Sequence, residues 1–255
     1  MRNFRIRRSI ACVASAAACV SGCVSSIALA DLAVDLRATA HNGNALVVGE
    51  TPHFIPGVVN GDVISFDIFV TATGTNANVF DDKIVAIDGS VLSQHTFPLG
   101  NLRGTLQLDY VRTTYDGNGD PISFGFDGPT ASVGLQQDLD GDGDLDVGSN
   151  NDPSPQLFWA ARFIGGAAGA TAPPPVGRKV GFGTFTVTDG ANDGVTFLFF
   201  RGRNSGTAAQ FWQDGVLGSG PSHTSPNGIL IQGIPEPTAL GVASLMGLVA
   251  LRRRR

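Results

Sequence analysis

The 255-residue chain is rich in glycine (34 residues), carries only 15% charged residues, and has 16 Phe against two Tyr and two Trp. That composition suits short strands joined by tight turns and excludes a protein built of long helices. Four arginines fall in the first eight residues and four close the chain, so residues 31–234 hold nine basic against 21 acidic groups, a net charge of −12. Such a body repels nucleic acid and favours cations as partners. Cys12, Cys19 and Cys23 are the only cysteines, which excludes disulfide and thiolate chemistry beyond residue 23 and leaves metal ions as the available staple.

Residues 1–30 open with Arg2, Arg5, Arg7 and Arg8, continue as an apolar run of small residues, and close on Ala28-Leu29-Ala30. This order is that of a secretory signal peptide, so export is expected, with cleavage after Ala30 and a mature chain starting at Asp31. Val20-Ser21-Gly22-Cys23 resembles a lipobox, which implies the alternative of acylation at Cys23.

Residues 31–232 are expected to form one all-β domain, a single antiparallel β-sandwich. Over 63–71, Ile64, Phe66, Ile68 and Val70 alternate with Ser65, Asp67 and Thr71; over 102–112, Leu102, Leu106, Leu108 and Tyr110 alternate with Arg103, Thr105, Gln107 and Asp109. Further strands are predicted at 83–87, 157–163, 180–188, 195–200 and 228–231. The run Val195-Thr196-Phe197-Leu198-Phe199-Phe200 is apolar on both faces, predicting a central strand buried on both sides. Asn60-Gly61, Asp88-Gly89, Asp116-Gly117 and Asp189-Gly190 read as turns, and the Gly- and Pro-rich stretch 165–177 as a surface loop. The segment 56–66 is similar to the early strand of cohesin-type sandwiches, so a cohesin-like or jelly-roll arrangement is implied.

The chemistry concentrates at 138–149, DLDGDGDLDVGS. Asp138, Asp140, Asp142, Asp144 and Asp146 place five carboxylates in nine residues, which repel one another without a cation. An EF-hand-type loop takes oxygens from positions 1, 3, 5, 7 and 9 with Gly at 6. Asp138, Asp140 and Asp142 stand at 1, 3 and 5, Gly143 at 6, the carbonyl of Asp144 at 7, the apolar Leu145 at 8 and Asp146 at 9. Ser149 replaces the bidentate Glu of position 12, with Asn150 or Asp152 as nearby substitutes. The segment resembles the calcium loops of dockerins and thrombospondin type 3 repeats, which implies calcium; with no flanking helices it is a lone loop, so weak binding is expected, on the order of 10⁻⁴ to 10⁻³ M. Asp116-Gly117-Asn118-Gly119-Asp120 is a second, poorer candidate, readable equally as a turn.

Catalytic patterns are sparse. His41, His53, His95 and His223 lack metal-ligand spacing, and with Glu50 and Glu236 the only glutamates, a glycoside hydrolase would have to rely on pairs such as Asp81-Asp82. Phe211 and Trp212, among polar neighbours, are candidates for stacking on sugar rings; Trp159 reads as core.

Residues 233–255 contain Pro235-Glu236-Pro237, a short apolar stretch expected to be helical, and Arg252, Arg253, Arg254 and Arg255. The stretch is shorter than the ~20 residues of a comfortable membrane span, yet it can hold a helix in the membrane with the arginines on the cytoplasmic side; a plain C-terminal anchor is the minor alternative. The order resembles the PEP-CTERM sorting signal. That resemblance implies recognition by an exosortase-type membrane enzyme and delivery to the cell envelope, outer surface or extracellular matrix. The expected function is that of a non-enzymatic, calcium-stabilised envelope or matrix protein, the alternative a lectin-like or cohesin-like module binding polysaccharide or protein.

Overall fold

The computed structural model describes residues 31–94, 102–150, 157–165, 168–172, 175–190, 194–203, 209–220 and 227–234. The expected signal peptide, sorting motif and C-terminal helix lie outside them. Among the described residues the protein is all-β and holds no helix long and apolar enough to cross a membrane.

Five strands make the first sheet: β1 (Asp31–His41), β2 (Asn44–Ala45), β4 (Val63–Thr73), β6 (Arg103–Tyr110) and β14 (Arg178–Asp189), antiparallel in the order β2-β1-β4-β14-β6. The alternation read from the sequence sets which face is buried. Ile64, Phe66, Ile68 and Val70 of β4 are all but fully buried, as are Leu106 of β6 and Phe185 of β14. The outward positions, such as Ser65, Asp67, Thr105 and Thr184, remain part-exposed.

The second sheet is organised around β5 (Lys83–Gln94). On one side β5 pairs with β15 (Val195–Gly202) and then with the hairpin of β16 (Ala209–Gln213) and β17 (Val216–Gly220); beyond β15 lie β18 (Ile229–Gly233) and β3 (Phe54–Val58). On its other side, successive stretches pair with β11 (Asp146–Val147), β12 (Trp159–Arg162) and β13 (Ala170–Thr171), backed by β10 (Gln136–Gln137) and β9 (Ser132–Val133). The small hairpin of β7 (Thr114–Tyr115) and β8 (Pro121–Ser123) stands apart. Ile84, Ile87, Val91, Leu198, Phe200 and Ile231 of this sheet share one core with the buried face of the first, a sandwich-like arrangement. Each large side chain so buried contributes about 1.5–3 kcal/mol.

Several expectations are corrected. The sheets are not wholly antiparallel, since β18 and β3 run parallel. Asp88-Gly89 is not a turn but the middle of β5. A Cβ at Gly89 would lie 2.4 Å from the Phe200 ring and 2.6 Å from the Arg201 carbonyl, so glycine is there for close packing rather than for a bend. Burial on both faces belongs to β5 rather than to β15: Arg162 closes over Asp88 at 3.2 Å and the Ser149 N–H donates to Ser90 Oγ at 3.1 Å. On β15, Phe197 and Phe199 stay half-buried, their rings stacked 6.0 Å apart. The stretch 165–177 is not merely a surface loop, since its β13 pairs with Lys83 and Ile84 and Ala172 is fully buried.

Candidate metal centre

The acidic segment lies where the two sheets meet, between the end of β5 and the start of β6. Its continuation as β11 pairs Val147 with Val91 of β5. On its other flank, the Leu106 N–H donates to the Leu145 carbonyl (2.8 Å) and the Leu145 N–H to the Gly104 carbonyl (3.0 Å). One loop is therefore hydrogen-bonded to both sheets. Its Asp-Gly repeats allow the tight path: Gly141 and Gly143 adopt φ of 83° and 89°, and the Arg103 guanidinium packs against Gly143.

The five carboxylates fall into two triads that share Asp140. One oxygen each from Asp138, Asp140 and Asp146 lie within 4.8 Å of one another, as do one each from Asp140, Asp142 and Asp144. A calcium ion 2.3–2.6 Å from every ligand holds oxygens no more than about 5 Å apart, so both triads match its coordination sphere. Asp146 is fully buried: Oδ1 accepts the Ser93 N–H at 2.7 Å and Oδ2 the Leu139 N–H at 3.1 Å. Asp138 accepts the N–H groups of Gly141 (2.7 Å) and Gly143 (3.1 Å). Asp144 is 2% exposed; the Ser93 hydroxyl lies 2.5 Å from its Oδ2, while its Oδ1 is buried and accepts no hydrogen bond. A buried carboxylate oxygen left in this state calls for a proton or a cation.

The electrostatics agree. Burial, then the contact with Asp142, pushes Asp144 up to about 9, against the opposing pull of Ser93. Burial and the Asp142 charge raise Asp140 to about 6. Burial likewise raises Asp146 to about 6, although its backbone donors oppose the shift.

Three details depart from the loop read in the sequence. Asp144 enters the cluster through its carboxylate. Leu145 is not the inward apolar residue, being 40% exposed; Leu139 and Val147 fill that place at 6% and 1%. Ser149 at position 12 pairs with the Ser90 hydroxyl through its backbone, and the side chain of the nearby Asn150 is held by Arg201 through its amide oxygen and by the Leu139 carbonyl through its amide nitrogen, while Asp152 lies outside the described residues. The second acidic candidate is a turn: Asp116 Oδ1 accepts the N–H groups of Asn118 (2.8 Å) and Asp120 (2.9 Å), and these backbone donors, that of Asp120 foremost, hold its carboxyl below the ordinary range.

The other singled-out residues lie elsewhere. Phe211 and Trp212 sit on β16 opposite Ile84 and Lys83, ten residues along β5 from Ser93 and so about 33 Å from the acidic loop. Phe211 packs against the core and Trp212 is half-buried; Trp159 is fully buried, as expected. Asp82 accepts the Gly74 and Asp214 N–H groups (2.8 and 3.1 Å), while Asp81 takes the Asn76 amide at 3.1 Å, so the two carboxylates organise a loop rather than face each other across a cleft.

One cluster escaped the sequence reading. His41 Nδ1 lies 2.7 Å from Glu50 Oε1 and its Nε2 3.0 Å from Asp62 Oδ2. Burial lowers the His41 pKa, but the hydrogen bonds to Glu50 and Asp62 outweigh it and the net shift is upward. Asp62 also accepts the Asn42 amide and the Val59 N–H, at 2.7 and 2.8 Å, so the group pins the end of β1 to the turn before β4. No spacing rule could have found it; the β1–β4 register is what brings these residues together.

The chain matches no family model, no curated protein and no solved structure.

Proposed function

We propose that this chain is an exported, non-enzymatic protein of the cell envelope or extracellular matrix. In this reading it is a single β-sandwich of cohesin-like or jelly-roll type, stiffened by calcium and sorted to the surface by its PEP-CTERM-like tail. An exosortase-type enzyme would recognise that tail, Pro235-Glu236-Pro237 followed by Arg252, Arg253, Arg254 and Arg255. Calcium would be held by Asp138, Asp140, Asp142, Asp144 and Asp146.

The observation that carries the reading is the buried Asp144–Asp146 pair in a loop hydrogen-bonded to both sheets. A cation there offsets repulsion at the seam and stabilises the folded form by mass action. The domain would thus be rigid where calcium is plentiful, outside the cell, and looser where it is scarce. A calcium-dependent sugar site built on Phe211 and Trp212 has less support, because Trp212 lies far from the acidic loop.

Thermal unfolding of the full chain in mild detergent tests this. A rise in melting temperature between excess chelator and about 10 mM calcium is expected from a site in the 10⁻⁴ to 10⁻³ M range. An unchanged melting temperature would remove the calcium reading.

A further inference from the structure

At the opposite end of β6 from the acidic loop, the outer edge of the first sheet opens into a cavity of about 680 Å³. Tyr110, Arg112 and Thr114 form one wall, and Arg178, Lys179 and Phe182 of β14 the other. The volume is within the usual range for small-ligand sites. Three of the nine cations in residues 31–234 meet here, a concentration that the fold itself does not demand.

Two of the three are already held, each between a carboxylate and a ring. Arg112 Nη2 donates to Asp109 at 2.9 Å while its guanidinium carbon stands 4.6 Å from the Tyr110 ring centre. Lys179 Nζ is 2.6 Å from Asp67 and 5.4 Å from the Phe182 ring centre. Arg178 is half-buried, and its side chain has no ion pair or hydrogen bond among the described residues. Phe182 occupies an outward position of β14 and is 42% exposed, so much of its face gains nothing from folding.

We propose that this cavity binds an acidic polysaccharide, with a hexuronate ring lying on Phe182 and its carboxylate on the Arg178 guanidinium. The chemistry of the walls selects that class. A planar guanidinium fork matches a carboxylate in two-point fashion, and an exposed ring offers an apolar platform to the C–H face of a sugar. With Asp109 and Asp67 neutralising the other two cations, the cavity carries about one uncompensated positive charge inside a strongly acidic body. One charge pairs with the carboxylate of a single ring, and because charges along a uronate chain are spaced a whole sugar apart, the acidic body repels it less than a polyphosphate strand with a charge on every phosphate. Tyr110 is seven residues from Arg103, about 24 Å along β6, so this site is separate from the calcium loop and shares with the proposed function only its extracellular setting.

The test is calorimetric titration of the full chain in mild detergent with a galacturonate hexamer, a neutral glucose hexamer and inorganic polyphosphate. The uronate is expected to bind at least about tenfold more tightly than either of the others. Arg178→Ala should lose about tenfold, Arg178→Lys less, and Phe182→Ala a comparable amount, all with unchanged melting temperature because these side chains are part-exposed. Asp142→Ala, which disables the acidic loop, should bind uronate as the wild type does. Retained affinity in Arg178→Ala, equal binding of polyphosphate, or loss of uronate binding in Asp142→Ala would each overturn the proposal; the last would assign the uronate to calcium bridging instead.

Discussion

Two loops of this protein are spelled almost alike, and they behave as opposites. The segment around Asp116 to Asp120 and the segment around Asp138 to Asp146 both alternate Asp with Gly. At the tip of the β7–β8 hairpin, Asp116 is exposed and satisfied by its own backbone, and its carboxyl is held below the ordinary range. At the seam between the sheets, Asp144 and Asp146 are buried among like charges and pushed above it. Composition supplies the carboxylates in both places. Burial decides whether they merely close a turn or demand a cation.

The sharpest test of that contrast is Asp146→Ala. It leaves the Ser93 and Leu139 N–H groups buried without acceptors and should cost about 3 kcal/mol or more, measured by denaturant titration, together with the calcium response. Next comes the ion itself. Calcium near 10 mM should stabilise the wild type by about 1–3 kcal/mol, whereas Asp144→Asn should be at least as stable as wild type in chelator and indifferent to calcium. Marked loss of stability in chelator would show that the Asp144 charge is not a liability there.

The same liability can be read independently through pH. Asp140, Asp144 and Asp146 have folded pKa values raised above the unfolded value of 3.8. The folded state therefore keeps protons that the unfolded chain has released. In chelator, stability should be greatest below about pH 4 as far as these groups are concerned. It should then fall as pH rises, through about 6 for Asp140 and Asp146 and on to about 9 for Asp144; calcium should flatten that decline. The smallest effect belongs to the other loop: Asp116→Asn should leave both the melting temperature and the calcium response essentially unchanged. A calcium response lost in Asp116→Asn would mean that the two loops do the same work after all.

The strands that were legible in the sequence are those whose alternation meets one buried face. β4 is the clearest, its Ile64, Phe66, Ile68 and Val70 all inward. β1 went unread although Leu32, Val34 and Leu36 alternate as cleanly, because Ala33, Ala38 and Ala40 blur the contrast between faces. Asp214-Gly215 is a two-residue hairpin turn with both φ positive, 51° and 74°. It is identical in type to Asp88-Gly89, which lies inside a strand. A dipeptide cannot tell the two apart, because what settles the matter at Gly89 is the Phe200 ring arriving from elsewhere. The acidic loop was legible as a set of ligands but not as a joint between sheets. Leu145 looked apolar and hence inward, whereas its contribution is a pair of backbone hydrogen bonds to β6. His41, Glu50 and Asp62, and the walls of the Arg178 cavity, are assembled by register across β1, β4, β6 and β14, which local pattern does not encode.

The parallel pairing of β18 with β3 bears on the order of events during folding. The Leu230 N–H donates to the His53 carbonyl, and His53 Nδ1 lies 3.1 Å from the Gly228 carbonyl, 175 positions along the chain. Loop closure over that distance is entropically slow. A chain emerging from its N-terminus can therefore form the β1–β4 ladder early, yet β3 stays an open edge until the last described strand arrives. Docking of β18 is thus the closing step, and a chain truncated before Ile229 would retain exposed strand edges prone to aggregation.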